Sequence, residues 1–370
     1  MKFTCATSEL NKAVQSIMPS IAAKPSTPIF GGMHIIADEG KIRLEGMDIN
    51  LSMSNEIKGE VEESGEIVIA ATRFNDLVRN FNGDTVKFTK NNNDNNVRLQ
   101  SGKADYKILL MNVNEYPKYP SVEAAKSLVI EEEKIKELIK KTAFACSTDS
   151  ARPLFTGVLC EIKDNKITFV GTNTHRLAIR TLTVENMDDM SVIIPSVVLK
   201  EINKNLNGKL PQDVTFFILN NQLMVKIENW TLVSRLIEGK FPDYKRVIPP
   251  QFNVKTKVNV KELAGAVSRM SLCSGSENDY SIVKISIGEK EIKVMSSSPD
   301  VGTGEEIIPC TTEGSPINVA FNAAYIMDIM KNIETEEAEI HLNNSLSPVC
   351  VRPSSDEEYI YIVTPVRVIF

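Results

Sequence analysis

Apolar residues near the start of the chain follow a helical period. Leu10, Ala13, Val14 and Ile17 stand at i, i+3, i+4 and i+7, a spacing that puts four side chains on one helical face. The same spacing returns at Ile135, Leu138, Ile139 and Thr142, and again at Leu263, Ala266, Val267 and Met270. A second helix is predicted after each of these. Its apolar positions are Phe74, Leu77, Val78 and Phe81, then Leu199, Ile202 and Leu206, then Ile326, Ile329, Met330 and Ile333. Between the two helices of each set, β-rich runs flank a polar turn. They run from His34 to Leu44 around Glu39-Gly40, from Leu159 to Val170 around Asp164-Asn165, and from Ile282 to Val294 around Gly288. A further hairpin follows each second helix, turning within Asn91 to Asn96, at Asn220-Asn221 and at Asn343-Asn344.

The order of parts is therefore the same three times, at a period of roughly 125 residues. Pro-rich segments, Tyr116 to Pro120 and Phe241 to Pro250, end the strand runs. The predicted domains are residues 1–120, 121–250 and 251–370. Each combines two helices with several mostly antiparallel strands, an α+β arrangement. A chain of 370 residues is too long for one ordinary core, in keeping with this division. The Asn-rich run reads as a long hairpin tip, given the β-rich residues on both sides of it.

Composition narrows the class. With 42% hydrophobic and 24% charged residues, no bilayer-length apolar run and no charged-then-apolar leader at Met1, a soluble cytoplasmic protein is expected. The cysteines Cys5, Cys146, Cys160, Cys273, Cys310 and Cys350 are far apart and form no CxxC pair. They are expected to be buried small hydrophobes, and no metal and no cofactor is predicted. His175 beside Thr174 and Arg176 invites a general-base or metal reading. Only His34 and His341 accompany it in the whole chain, and no HExxH, GxSxG or phosphate-cradling loop completes such a site. The chain is not expected to be an enzyme.

A net charge of −6 weighs at first against a nucleic-acid partner. The charge is unevenly placed, however: the six predicted helical segments sum to +5, which leaves −11 for everything else. The basic residues Arg73, Arg79, Lys134, Lys136, Lys140, Lys141, Lys200, Lys204, Lys261 and Arg269 lie on these helices. They read either as one phosphate-facing surface or as ordinary solvated helix faces, and charge alone does not separate the two.

Three motifs bear on that choice. They are Gly171-Thr172-Asn173-Thr174-His175-Arg176-Leu177-Ala178, Phe241-Pro242-Asp243-Tyr244-Lys245-Arg246-Val247-Ile248-Pro249, and Tyr361-Ile362-Val363-Thr364-Pro365-Val366-Arg367. In this order, within a threefold repeat, they resemble the bacterial β sliding clamp family, the processivity subunit of the replicative polymerase. The resemblance covers the whole chain. It implies three tandem clamp domains, and a homodimer closing head to tail as a six-domain ring around duplex DNA without sequence specificity. Helices would line the inner wall and sheets the outer wall.

The resemblance also implies sites. A groove between the second and third domains would take a short partner segment with a Gln and later Leu or Phe anchors, from the polymerase, the clamp loader and repair proteins. Matching positions for that groove are Phe155, Thr172, His175, Arg176, Leu177, Pro242, Arg246, Val247, Leu346, Val363, Thr364, Pro365, Val366 and Arg367. DNA-facing positions would be Lys24, Arg73, Arg79, Lys134, Lys136, Lys140, Lys141, Lys200, Lys204 and Arg269. The dimer contact would involve Tyr106 and Ile108 from the first domain, Leu272 and Cys273 from the third. The chain departs from the family where Asn173-Thr174 replaces Asp followed by Gly or Ser, at Thr364, and where Val368-Ile369-Phe370 extend the tail. The competing functions are a peptide-binding adaptor that never encloses DNA and, against the missing phosphate loop, a nucleotide-dependent DNA enzyme.

Overall fold

The computed structural model describes all residues except 92–93, 121–125, 186–187, 207–212, 220, 275–280 and 369–370, and not the side chains at 126 and 219. The middle of the Asn-rich run, half of the predicted turn at Asn220-Asn221 and the last two tail residues thus lie outside the described residues.

Helices form where the apolar period predicts them: α1 (Thr7–Ile17), α2 (Ala71–Arg79), α3 (Glu132–Thr142), α4 (Ser196–Asn205), α5 (Val260–Ser271) and α6 (Ala323–Met330). The stripe of α1 is buried at Leu10, Ala13, Val14 and Ile17, and that of α5 at Leu263, Ala266, Val267 and Met270. Each large aliphatic side chain so buried contributes about 1.5–3 kcal/mol. Helices α5 and α6 start on asparagine caps: Asn259 Oδ1 accepts from the Lys261 and Glu262 amides, and Asn322 Oδ1 from the Ala324 amide. The stripes outrun the helices they mark. Phe81, Leu206 and Ile333 lie past the ends of α2, α4 and α6, yet Leu206 and Ile333 are buried and Phe81 half-buried. The turns also follow sequence. Glu39 and Gly40 (φ 45° and 78°), like Asp164 and Asn165 (φ 51° and 58°), pair two left-handed central residues, as type I′ hairpins require.

The chain folds as two compact units. The first comprises Met1–Ile135 and Glu201–Leu236. Its 13-stranded antiparallel sheet runs from Lys126–Glu131 at one edge to Glu60–Glu63 at the other. The second comprises Lys136–Lys200 and Ile237–Phe370, with a 12-stranded sheet running from Met190–Pro195 to Ile317–Asn322. The middle copy of the repeat is divided between them. Its strand Trp230–Arg235 pairs with Leu51–Lys58 of the first copy, and its strand Arg176–Thr183 pairs with Tyr359–Val363 of the third. Compactness follows the sheets because a strand edge left open at the end of one copy satisfies its backbone groups on the next. In the second unit Leu263 and Val267 of α5 share one core with Ile326 and Ile329 of α6 and with Val283, Ile285, Ile292 and Val294 of the sheet.

Four of the six cysteines (Cys5, Cys146, Cys160 and Cys350) are buried, and burial first of all pushes each thiol up to about 12, which keeps it protonated and inert.

In the first unit His34 is buried with a carboxylate on each ring nitrogen: Nδ1 lies 3.0 Å from Glu45 Oε2 and Nε2 2.8 Å from Glu66 Oε2. Both nitrogens must donate, which only the imidazolium does. Burial lowers the pKa, but the hydrogen bonds and charges of Glu45 and Glu66 together outweigh it, so the pKa is raised above 6.5. A folded-state pKa above the unfolded one stabilises fully below 6.5, and that stabilisation is lost as pH rises through the folded value. The stability gap between the wild type and His34→Gln in urea unfolding is therefore expected to narrow as pH rises from 6.5 through the raised folded-state value. A gap constant over that range would show that His34 is neutral in the fold.

Candidate functional site

The first motif forms the turn between strands Lys166–Thr172 and Arg176–Thr183 in the second unit. Gly171 is needed for a close approach: a Cβ there would lie 2.3 Å from the Thr142 carbonyl oxygen at the end of α3. Beyond it the turn closes on its own side chains. Thr172 Oγ1 donates to the Arg176 carbonyl at 2.6 Å and accepts from the Thr174 amide at 3.1 Å. Asn173 Oδ1 accepts from the His175 and Arg176 amides, each at 3.0 Å.

Arg176 ties this turn to the C-terminal part of the same unit. One guanidinium nitrogen donates to Asp328 Oδ2 of α6 at 2.5 Å and the other to the Phe144 carbonyl at 2.6 Å. The group sits between two rings, 4.6 Å from the Tyr325 centroid and 5.6 Å from that of Phe144. Asn173 Nδ2 donates to the Tyr325 hydroxyl at 3.2 Å. From the terminal motif, Thr364 donates to the His175 carbonyl through both its amide (2.9 Å) and its hydroxyl (3.0 Å).

The second motif covers the other side. Phe241 packs with Leu177, Ile362, Leu159, Val170 and Ile193 in one buried cluster, and Tyr244 lies against it. Burial first, and then Glu161, push the Tyr244 phenol up to about 12, and the neutral hydroxyl donates to Glu161 Oε2 at 3.4 Å. Phe155, Thr172, Thr174, His175, Arg176, Leu177, Phe241, Pro242, Asp243, Tyr244, Val247, Pro348, Ile362 and Thr364 surround a cavity of about 240 Å³. A hydrocarbon wall with a few oriented polar groups suits aliphatic or aromatic side chains presented by another chain. His175 supplies its backbone here, receiving from Thr364 and giving to Asn173.

Family models agree with this arrangement along nearly the whole chain. Those for the DNA polymerase III beta subunit match with the N-terminal domain at residues 1–120, the central domain at 129–243 and the C-terminal domain at 245–367. The chain belongs to the DNA polymerase III beta subunit family. A beta sliding clamp of Staphylococcus epidermidis is 29% identical to it, with 99% of each chain covered. The crystal structure of the DNA polymerase sliding clamp of Bacillus subtilis superposes with a TM-score of 0.94 at 29% identity, covering all of both chains. A sliding clamp of Bartonella birtlesii bound to griselimycin gives 0.92 at 25% identity, also over both whole chains. The protein is a DNA sliding clamp, a non-catalytic processivity factor of DNA polymerase III built of three tandem clamp domains.

Of the expected groove residues of this beta subunit, Phe155, Thr172, His175, Arg176, Leu177, Pro242, Val247 and Thr364 come together around the cavity. Val363 does not, and this corrects the expectation. It is fully buried in the core of the C-terminal part, because alternate residues of a strand face opposite ways, and its neighbours Ile362 and Thr364 reach the cavity instead. Arg246 points outward, 85% exposed, with Nε 2.9 Å from Asp243 Oδ2. Leu346 is exposed on its loop, and Pro348, two residues on, takes the lining place. Pro365, Val366 and Arg367 lie beyond the cavity wall, where the Val366 amide donates to the Ala320 carbonyl at 2.8 Å. Thr174, Phe241, Asp243, Tyr244, Pro348 and Ile362 were not expected, although five of the six stand inside or directly beside the three motifs.

The basic candidates divide into exposed, paired and buried. Lys24, Arg73, Arg79, Lys136 and Lys200 are exposed. Lys134 pairs with Glu131, Lys140 with Glu334, Lys204 with Glu201 and Arg269 with Glu306. Surface pairs of this kind are worth roughly 0–1 kcal/mol and exchange readily for a phosphate. Lys141 is a correction. Its side chain is buried, with Nζ 2.7 Å from Glu137 and 5.1 Å from the Tyr359 ring centroid, so it presents no free charge to a ligand.

Besides the strands at the sheet ends, two interior strands are, among the described residues, paired over only part of one side. Strand Ala104–Met111 is paired along one side by Asn96–Ser101, and along the other only at Leu110 and Met111. It carries Tyr106, Ile108 and Leu109, the last 75% exposed. Strand Gly302–Glu313 pairs through Gly302 to Pro309 with Glu291–Ser298 on one side, while on the other only Cys310 to Glu313 are paired, by Val254–Asn259. It carries the exposed Ile307, and Leu272 at the end of α5 is exposed too. Cys273 is half-buried.

Proposed function

We propose that two copies of this clamp close head to tail into a ring of six domains around duplex DNA, with domains at 1–120, 121–250 and 251–370. The observation that carries this reading is the pair of interior strands, one in each unit, that among the described residues leave part of one side unpaired and carry exposed aliphatic residues there. An unpaired edge with Leu109 or Ile307 on it is an association surface unless something covers it. Tyr106, Ile108 and Leu109 of one subunit would meet Leu272, Cys273 and Ile307 of the other, and the contact made twice closes the assembly.

On this reading Lys24, Arg73, Arg79, Lys136 and Lys200 face DNA, helped by Lys134, Lys140, Lys204 and Arg269 when their glutamate partners yield. Topological enclosure needs only weak, exchangeable phosphate contacts without base preference. The cavity beside Leu177 receives the apolar anchors of a short peptide carried by the polymerase, the clamp loader and repair proteins, in the cytoplasm. The test is retention: once loaded on nicked circular DNA the clamp is expected to stay through gel filtration, and to be lost when the circle is cut. Equal loss from circular and linear DNA would favour the non-encircling adaptor.

A further inference from the structure

The turn at Asn173 to Arg176 is a two-residue hairpin turn, since the Asn173 amide donates to the Arg176 carbonyl and Thr172 opposes Leu177. Its central residues are Thr174 and His175, and of these only Thr174 has positive φ, 78°. A positive φ at the first central residue of a tight hairpin turn is a place that calls for glycine. For a β-branched residue such a conformation is a genuine outlier, because Cβ and its branches crowd the adjoining peptide groups. Among the described residues, the other non-glycine residues with positive φ are Glu39, Asp164, Asn165 and Glu228, all unbranched at Cβ.

Neighbours hold the strained residue in place: Thr172 Oγ1 takes its amide, Asn173 closes the turn and Thr364 grips the His175 carbonyl. Its side chain then forms part of the cavity wall. Strain kept at a binding surface is a sign that the side chain has a use there.

We propose that Thr174 is a specificity-determining residue of the pocket. Its two γ atoms fill room that glycine would leave, so the pocket admits slender aliphatic anchors in preference to wide aromatic ones. This rests on the peptide-binding reading above. Steric selection by one or two heavy atoms in an apolar pocket discriminates by roughly 10–200-fold at best.

The experiment uses the full-length protein as wild type, Thr174→Gly, Thr174→Ala and Thr174→Ser. Fluorescent peptides of the Gln-then-leucine type carry leucine at both apolar anchors, or tryptophan at each anchor in turn. Thr174→Gly and Thr174→Ala are both expected to tighten one tryptophan peptide by about fivefold or more, while the all-leucine peptide stays within about twofold. Thr174→Ser, which keeps one γ atom, is expected to fall between. Melting temperature separates room from strain, because Thr174→Gly raises it by releasing the turn and Thr174→Ala, still a Cβ residue at positive φ, does so less. If the wild type binds the peptides and the leucine-to-tryptophan ratio is the same in all four proteins, Thr174 does not set specificity and the pocket reading stands. If the wild type binds no peptide, the pocket reading falls, and this proposal with it.

Discussion

Leu109→Asp and Ile307→Asp introduced together are expected to leave the protein monomeric at micromolar concentration, where the proposed dimer would otherwise form. Both side chains are largely in water in the single chain, 75% and 53% exposed, so the folds of the two units should survive, with melting temperatures close to wild type. Each proposed contact would lose two aliphatic anchors, about 1.5–3 kcal/mol apiece if fully buried. It would also have to bury two unpaired carboxylates, which costs several kcal/mol per ion. The contact is made twice in a closed ring, so the loss is felt twice in dissociation. Sedimentation velocity should show one slow species, and retention on nicked circular DNA should disappear with it. An unchanged dimer that still holds circular DNA would place the interface away from these strands.

The parts of the molecule set by local period were legible in the sequence. Stripes such as Leu10, Ala13, Val14 and Ile17 lie within two helical turns, and I′ turns such as Asp164-Asn165 are specified by the residues in them. What was not legible depends on partners far away in the chain. Nothing near residue 141 says that its lysine is buried: it flanks the stripe at Leu138, and its cover is the ring of Tyr359. The division of the middle copy between two sheets follows from which edges were free to pair, as Trp230 does with Asn55, and edges leave no periodic trace. Val363 is the opposite case. The alternation along Tyr361-Ile362-Val363 was available, and it would have sent Ile362 and Val363 to different faces. Thr174 was hidden because a Thr-His pair does not announce a positive φ, which is normally recognised by glycine.

Arg176→Ala is expected to cost about 2–3 kcal/mol of stability and to weaken peptide binding as well, because one guanidinium both holds the turn and joins it to α6. The lost contacts are the hydrogen bond to Asp328, the hydrogen bond to the Phe144 carbonyl and the stacking between the Tyr325 and Phe144 rings. Removing one partner of a buried pair can cost about 3–5 kcal/mol. The lower figure is expected here because Asp328 is 36% exposed, and water can solvate it once the arginine has gone. The Phe144 carbonyl and the turn are then what suffer. Without the fork the Thr172 to Arg176 turn keeps its internal hydrogen bonds but loses its hold on α6, so the wall at Thr174 and His175 is free to shift. Arg176→Lys keeps the charge and gives up the two-pronged, planar geometry, and is expected to recover less than half of either loss. Thermal unfolding and peptide anisotropy on the same preparations check both effects. A double-mutant cycle with Asp328→Ala should return a coupling of about 1 kcal/mol or more if the pair acts as a unit. Arg176→Ala within about 0.5 kcal/mol of wild type, with peptide affinity unchanged, would mean that the strand pairing of Arg176–Thr183 with Tyr359–Val363 fixes the pocket without this side chain.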